Sequence, residues 1–99
     1  MELTGKCKEE FGNWLYKKYE LENRVEINRF NEYPEAMQYG VYVDFFDSVG
    51  FHIEIMSIFH LLKTKWRFIP LGGNNMYNTR PEARASAINK ANEIFNENK

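Results

Sequence analysis

The residues best suited to chemistry are two aspartates, a histidine and a glutamate within the stretch DFFDSVGFHIEI. Asp44 and Asp47 lie three positions apart, and His52 and Glu54 lie two positions apart. Carboxylates and imidazoles are the side chains that ligate metal ions or exchange protons with a substrate. Gly50 separates the two pairs, so the secondary structure around it decides whether they could act together.

The local pattern favours a structural role for this stretch. On a helix, Asp44 and Asp47 project near one face, whereas His52 and Glu54 point together from the strand that follows. The two pairs could converge only if that strand folded back over the end of the helix. We therefore expect ordinary polar residues at a helix end and on the solvent face of a strand. The sequence predicts no metal site and no catalytic residue here.

The remaining reactive groups also favour a protein without catalytic chemistry. Cys7 falls on the apolar stripe of the first predicted helix, which predicts a buried, inert thiol. The stretch LGGNN lacks the spacing and the lysine of a phosphate-binding loop. The sequence contains no nucleophile elbow, no HExxH motif and no cysteine cluster. We expect no enzymatic activity, no cofactor and no required metal.

Basic residues cluster in the C-terminal half, where Trp66 and Tyr77 are interleaved with them. The candidate nucleic-acid contacts are Lys63, Lys65, Arg67, Arg80 and Arg84. Basic and aromatic side chains on a small sheet can bind single-stranded nucleic acid through its phosphates and by stacking on its bases. The alternative is a solvated strand face beside aromatic residues of the core.

An acidic segment precedes this cluster. From Phe30 to Leu62 the chain has no Lys or Arg and carries five acidic residues. Such a segment suits a basic surface on a partner protein, although chance segregation of charge is the alternative. Its aromatic and acidic side chains give the predicted partner-binding residues, which are Tyr39, Tyr42, Asp44 and Asp47.

Hydrophobic periodicity predicts the elements that position these residues. Residues 5–20 read as a helix with Cys7, Phe11, Trp14 and Leu15 on one face and Thr4 as its N-cap. Residues 51–59 and 64–71 alternate and predict two antiparallel strands, with a short third strand at residues 76–77. Residues 25–27 suggest a short extended piece, and residues 72–75 suggest a turn.

Residues 34–49 fit two structures. As a strand they would place residues 39, 41, 43 and 45 on one face. As a helix they would align residues 37, 41, 45 and 49, with Pro34 in the first turn and Gly50 as the left-handed residue after its end. We predict the helix. Residues 80–96 read as a second clear helix, which begins with a capping box formed by Thr79 and Glu82.

These elements predict an α+β fold as one domain. A small antiparallel sheet of two to three strands packs against two or three helices. The predicted core comprises Trp14, Met37, Val41, Phe45, Ile53, Ile55, Trp66, Phe68, Ile88 and Phe95. Apolar residues make up 43% of the 99 residues and aromatic residues 16%, which suffices for a compact core.

The overall charge excludes a strong electrostatic pull toward nucleic acid or membranes, because the formal net charge is only -1. One cysteine allows no internal disulfide, and no apolar run approaches the ~20 residues of a membrane span. The charged N-terminus MELTGKCKEE lacks the apolar core of a signal peptide. We expect a soluble protein of the cytoplasm.

Two long stretches carry a family resemblance. PEAMQYGVYVDFFDSVG followed by FHIEI, and the closing TRPEARASAINKANEIFN, resemble a group of small uncharacterised proteins of bacteriophages and mobile elements. The resemblance implies an accessory protein, located in the bacterial host cell, that binds a host protein. Anti-CRISPR proteins, which inhibit CRISPR effector nucleases, are the best-defined class of this kind.

A second resemblance depends on residues 39–46. If these residues formed a strand, the order helix, three strands, helix would resemble a double-stranded RNA-binding domain. Arg80, Arg84 and Lys90 would then stand in the place of that family's basic helix, although its lysine cluster and its GPxH-like loop do not occur. Binding to RNA or DNA is therefore the alternative function. The partner's identity and the oligomeric state stay open.

Overall fold

The computed structural model describes residues 2–18, 30–69 and 75–98. Along the chain the elements are helix α1 (Gly5–Lys18), a 3-10 turn (Phe30–Glu32), helix α2 (Glu35–Ser48), strand β1 (Glu54–His60), strand β2 (Lys63–Ile69) and helix α3 (Arg80–Asn98). Within these residues, three helices and a two-stranded antiparallel sheet confirm the predicted α+β class. The extended piece predicted at residues 25–27 and most of the turn predicted at residues 72–75 lie outside the described residues.

Residues 38–46 are helical, as the local signals predicted. The carbonyl oxygen of Pro34 accepts hydrogen bonds from the backbone N–H groups of Met37 and Gln38, at 2.9 and 3.0 Å, and so opens α2. At the other end, Gly50 has a φ of +94°, and the N–H of Phe51 donates to the carbonyl oxygen of Phe46 at 2.8 Å. This pattern is a Schellman motif. The three-stranded RNA-binding topology, which required a strand here, does not occur among the described residues.

The buried face of α2 differs from the predicted one. Met37 is 55% exposed and Val49 is 39% exposed, so the predicted stripe through both residues is wrong, as is the placing of Met37 in the core. Tyr42, Phe45 and Phe46 are buried instead. These three aromatic residues also follow helical spacing, and they carry more apolar area than the predicted stripe, so the helix turns them inward.

The core is an aromatic cluster centred on Phe45. Its ring centroid lies 5.3 Å from that of Phe11, 5.6 Å from that of Trp14 and 6.1 Å from that of Phe95. These residues come from α1, α2 and α3, so the cluster joins all three helices. The rings meet edge-on or tilted, and each such pair adds about 0.5–1.5 kcal/mol beyond area burial.

Five of the predicted core residues are buried, and four more are partly buried. The buried ones are Phe45, Ile53, Phe68, Ile88 and Phe95, while Trp14, Val41 and Ile55 pack against the core and Trp66 is half-buried. Three alanines of α3, at positions 83, 87 and 91, have no exposed surface. Their small side chains allow close approach of α3 to its neighbours.

The two strands form a hairpin whose turn contains only two residues. The register runs from Glu54 opposite Ile69 to residue 60 opposite Lys63. Leu61 and Leu62 form the turn with positive φ angles of 51° and 64°, a conformation that branched side chains seldom adopt. Beyond β2, Tyr77 exchanges two backbone hydrogen bonds with Trp66, at 2.7 and 2.8 Å, so the predicted third strand is a single bridge.

The predicted caps of α1 and α3 have different outcomes. For α3, the N–H of Glu82 donates to Oγ1 of Thr79 at 3.3 Å, as the capping box predicted. For α1, the N–H of Cys7 donates to Oδ1 of Asn96 on α3, at 2.9 Å, so the capping oxygen comes from another helix and the prediction for Thr4 is corrected. No helix in the described ranges is long and apolar enough to cross a membrane.

Candidate functional site

An open groove of about 500 Å³ lies where α2, the base of the hairpin and the start of α3 meet. The residues that give it its chemical character are Tyr39, Asp44, Glu54, Trp66, Arg80 and Arg84. We call it the aromatic–arginine groove. Val43, Ile53 and Ile55 add apolar area to its walls.

Two arginines of α3 stack on aromatic rings in this groove. The guanidinium carbon of Arg80 lies 4.4 Å from the ring centroid of Trp66, and that of Arg84 lies 5.4 Å from the ring of Tyr39. Residues four apart on a helix project from the same side, so the first turns of α3 deliver both cations together. Each contact is a cation–π interaction, in which the face of the ring attracts the cation above it.

Two carboxylates line the same groove. Asp44 comes from α2 and Glu54 from the first position of β1, and both are exposed. The acidic segment and part of the basic cluster, which are separate in the sequence, therefore contribute to one site. The sequence presented them as rival surfaces because nothing in local spacing shows that α3 crosses beside α2.

The predicted partner-binding residues have different locations. Tyr39 and Asp44 line the groove, and Asp47 is exposed near the end of α2. Tyr42 is only 3% exposed, so the prediction that it contacts a partner is wrong. Its ring centroid lies 5.0 Å from that of Phe11 and 5.1 Å from that of Phe30, and burial raises its pKa to about 12.

The five predicted nucleic-acid contacts fall into two groups. Arg80 and Arg84 belong to the groove, together with Trp66. Lys63, Lys65 and Arg67 occupy alternate positions of β2, so they lie on the opposite face of the hairpin from Trp66. The ammonium group of Lys65 donates a hydrogen bond to the side-chain oxygen of Asn78. The five residues therefore do not form one continuous basic surface.

Three of the four residues that opened the sequence argument meet at the end of α2. Nδ1 of His52 lies 3.3 Å from Oδ1 of Asp47, and Nε2 lies 3.0 Å from Oε1 of Glu54. The expectation that the two pairs stay apart is wrong for Asp47, because the Schellman turn at Gly50 brings the chain back over the helix end.

The electrostatics of this cluster follow from its hydrogen bonds. Hydrogen bonding to Glu54 and then to Asp47 raises the pKa of His52 above its usual value, because both carboxylates favour the protonated ring. All three side chains are well exposed to solvent. Within the described ranges, no group of three or more His, Cys, Asp or Glu side chains is arranged to hold a metal ion.

Cys7 is the most deeply buried reactive group, with no exposed surface. Burial raises the pKa of its thiol to about 12, because the apolar surroundings disfavour the thiolate. A thiol that stays protonated is a poor nucleophile, so the structure supports the inert role predicted for it.

Comparison with known proteins adds no relative to this description. No protein-family model, no curated protein and no solved structure matches the chain. The function of the aromatic–arginine groove is therefore argued from its own residues.

Proposed function

We propose that this chain is a binding protein whose aromatic–arginine groove holds a segment of another protein. The observation that carries the proposal is the pair of stacks, Arg80 on Trp66 and Arg84 on Tyr39, beside two exposed carboxylates. Trp, Tyr and Arg are the residue types that dominate the binding energy of protein interfaces. No step of this function requires a catalytic group or a cofactor.

The stacks give the groove a means of recognition. A guanidinium group held against a ring keeps N–H groups available for a carboxylate, and it loses little side-chain entropy when it binds one. An acidic side chain of the partner segment would pair with Arg80 or Arg84. A basic side chain of the same segment would face Asp44 and Glu54.

The mixed charge favours a protein over a nucleic acid in this groove. Asp44 and Glu54 stand beside the two arginines and would repel phosphate groups. A polypeptide carries both signs of charge together with apolar side chains, so it can complement the whole groove.

The resemblance to small phage and mobile-element proteins extends the proposal to a host protein complex. Under that extension the protein inhibits the complex that it binds, and a CRISPR effector nuclease is the first such complex to test. The support for this extension is the sequence resemblance, whereas the support for protein binding is the groove.

Nucleic-acid binding is the second candidate, and the basic face of β2 favours it. Lys63, Lys65 and Arg67 share one face of the hairpin, away from the groove. They could contact successive phosphates of a bound strand.

Selection from a displayed peptide library, followed by affinity measurements on the selected peptides, tests the first candidate. We expect bound peptides to quench or shift the fluorescence of Trp66, and Arg84→Ala combined with Arg80→Ala to weaken binding at least about tenfold. The matched control is Lys63→Ala combined with Lys65→Ala, which removes the same charge from the other face. Equal weakening by both pairs would argue against the groove.

A gel-shift series with single-stranded and duplex RNA and DNA tests the second candidate. Binding through phosphates weakens steeply with salt, and the Lys63→Ala and Lys65→Ala pair would then cause the greater loss. A nuclease-cleavage assay with and without the protein tests inhibition of a CRISPR effector separately. If a nuclease complex binds the protein and its cleavage is unchanged, inhibition is excluded, whereas the proposal that the protein binds another protein is not contradicted.

A further inference from the structure

Strand β1 pairs with β2 along one edge, and its other edge has no partner strand among the described residues. Its residues pair with β2 along the whole hairpin, and within residues 2–18, 30–69 and 75–98 no strand pairs with its other edge. The strand sequence EIMSIFH has four apolar residues and no Lys, Arg, Pro or Gly. Proteins usually protect an edge strand with such residues or with a bulge, because its free backbone groups readily pair with another chain.

Exposed apolar side chains accompany this edge. Phe59 is 74% exposed, Leu61 is 82% exposed and Leu62 is 87% exposed, and Met56 is 39% exposed. Together they present on the order of 500 Å² to solvent, since a large apolar side chain carries roughly 200 Å². The tip of the hairpin therefore carries much of the exposed apolar surface in the described residues.

We propose that the protein forms a two-fold symmetric dimer in which the edge of β1 that faces away from β2 pairs antiparallel with β1 of a second copy. The two hairpins then make one four-stranded sheet. This inference goes beyond the binding function of the groove, because it concerns the edge of β1 that faces away from β2.

The strand is complementary to itself in one register. With Ser57 opposite Ser57 of the second copy, Ile55 lies opposite Phe59 and Met56 lies opposite Ile58, so two kinds of apolar pair form on each side of the axis. The two-fold axis must pass through a residue position and not between two residues, because residues directly opposite each other must point to the same face of the sheet. A shift of the axis by one residue pairs Ile55 or Phe59 with Ser57 and loses these matches.

This register also covers the exposed ring of Phe59. Within the hairpin, Ile55 lies opposite Phe68 on the face that packs toward the helices. Phe59 of the second copy would lie next to Ile55 in the same row of the sheet, two strands from the buried Phe68. The ring would then extend the core of the neighbouring copy.

Charge complementarity supports the same arrangement. Antiparallel pairing brings the tip of each hairpin, which carries Lys63, to the base of the other, where Asp47 and Glu54 are exposed. Lys63 and Glu54 of the second copy would share a row and a face, two strands apart. At ~4.8 Å per strand their backbones would be roughly 10 Å apart, within reach of an ion pair between such long side chains.

The available area suits a stable dimer. A specific interface buries ~800 Å² on each partner. The four exposed apolar side chains present more than half of that area at or beside this edge, and the seven-residue backbone edge and the flanking polar residues add to it. The groove residues Trp66, Arg80 and Arg84 lie toward the β2 side, whereas Glu54 and Ile55, which also line the groove, would border the second copy.

Sedimentation equilibrium over a wide range of protein concentrations tests the dimer. We expect a dimer for the parent and about tenfold weaker association, or a monomer, for Ser57→Lys, which would place two like charges directly opposite each other. The control is Thr64→Lys, an exposed position on the same face of β2 that does not meet its own copy. Circular dichroism of each variant establishes that it is folded.

A cross-linking experiment tests the register. Ser57→Cys should form a disulfide-linked dimer on mild oxidation, because symmetric cross-strand positions lie within disulfide range, whereas Thr64→Cys should not. A parent that stays monomeric at every concentration overturns the proposal. Dimerisation unaffected by Ser57→Lys, or equal cross-linking at the two positions, overturns it as well.

Discussion

Asn96 near the end of α3 caps the beginning of α1 through Cys7. Its Oδ1 accepts the backbone N–H of Cys7 at 2.9 Å, while its Nδ2 donates to the carbonyl oxygen of Thr4 at 3.0 Å. Asn92, one turn earlier, accepts the N–H of Thr4 at 2.9 Å. The first turn of a helix leaves its N–H groups without partners, so these contacts join local helix capping to the packing of α3 on α1.

The first prediction follows from this contact. Asn96→Ala removes both hydrogen bonds and should lower the free energy of unfolding by about 1–2 kcal/mol. Asn96→Asp keeps the acceptor beside the positive end of α1, so it should cost less. Urea denaturation measures both, and Asn89→Ala, an exposed asparagine of the same helix, is the control. A loss no greater than that of the control would contradict the capping role.

The second prediction concerns the thiol of Cys7. Because burial excludes solvent and raises the pKa of the thiol to about 12, an aromatic disulfide reagent at neutral pH should not react with the native protein. In denaturant the same thiol should react fully, and this gives a convenient signal of global unfolding. Rapid reaction under native conditions would show that α1 opens locally far more often than the core does.

The third prediction distinguishes the observed core face of α2 from the predicted one. Phe45→Ala should cost about 3–5 kcal/mol, because it removes the ring at the centre of the aromatic cluster and leaves a cavity. Met37→Ala should change stability by less than about 0.5 kcal/mol, because Met37 is largely exposed. Thermal unfolding of the two variants measures this contrast. Similar losses from both would mean that α2 buries its Met37 side.

Local signals predicted the secondary structure of α2 because they act within the helix itself. Pro34, the residue just before its first turn, and Gly50, the left-handed residue after its end, mark its limits through their own backbone preferences. Its rotation about its own axis, by contrast, depends on where α1 and α3 lie. The sequence offered two apolar stripes, and only the packing of Phe11 and Phe95 against Phe45 selects one.

The candidate site was predicted in its residue types and not in its arrangement. Tyr39, Asp44, Arg80 and Arg84 were all identified from charge and aromatic content. Their convergence depends on α3 passing beside α2. The contact between Arg84 and Tyr39 joins residues 45 positions apart, and no periodicity reveals it. The approach of His52 to Asp47 is more local, and a Gly at the end of a helix is the signal for the chain reversal that produces it.

The fourth prediction uses the conformational freedom of Gly50. Its φ of +94° is open to glycine and strained for other residues, and a methyl group there would meet no atom within 4 Å. Gly50→Ala should therefore cost about 1 kcal/mol through backbone strain alone. Gly12, inside α1, also has open space but an ordinary φ, so Gly12→Ala should stabilise the protein by about 0.5–1 kcal/mol. Changes of the same sign in denaturation experiments would contradict the Schellman ending of α2.

The fifth prediction concerns the titration of His52. Its hydrogen bonds to Glu54 and Asp47 raise its pKa above the ordinary value of 6.5, and NMR of the ring protons should show a midpoint above that value. The signal is assigned with the variant His60→Gln. Glu54→Gln should lower the midpoint more than Asp47→Asn does, because the contact with Glu54 is the shorter one.

The raised pKa of His52 also fixes the sign of its effect on stability. A group whose pKa is higher in the folded than in the unfolded protein stabilises the fold most at pH values below the unfolded pKa. That contribution disappears as the pH rises through the folded pKa. His52→Gln should therefore destabilise the protein more at pH 5.5 than at pH 8. These two values lie on either side of the ordinary pKa of 6.5. Denaturation curves of the parent and the variant at each pH measure the difference. An effect of equal size at both values would show that Asp47 and Glu54 do not hold the protonated ring.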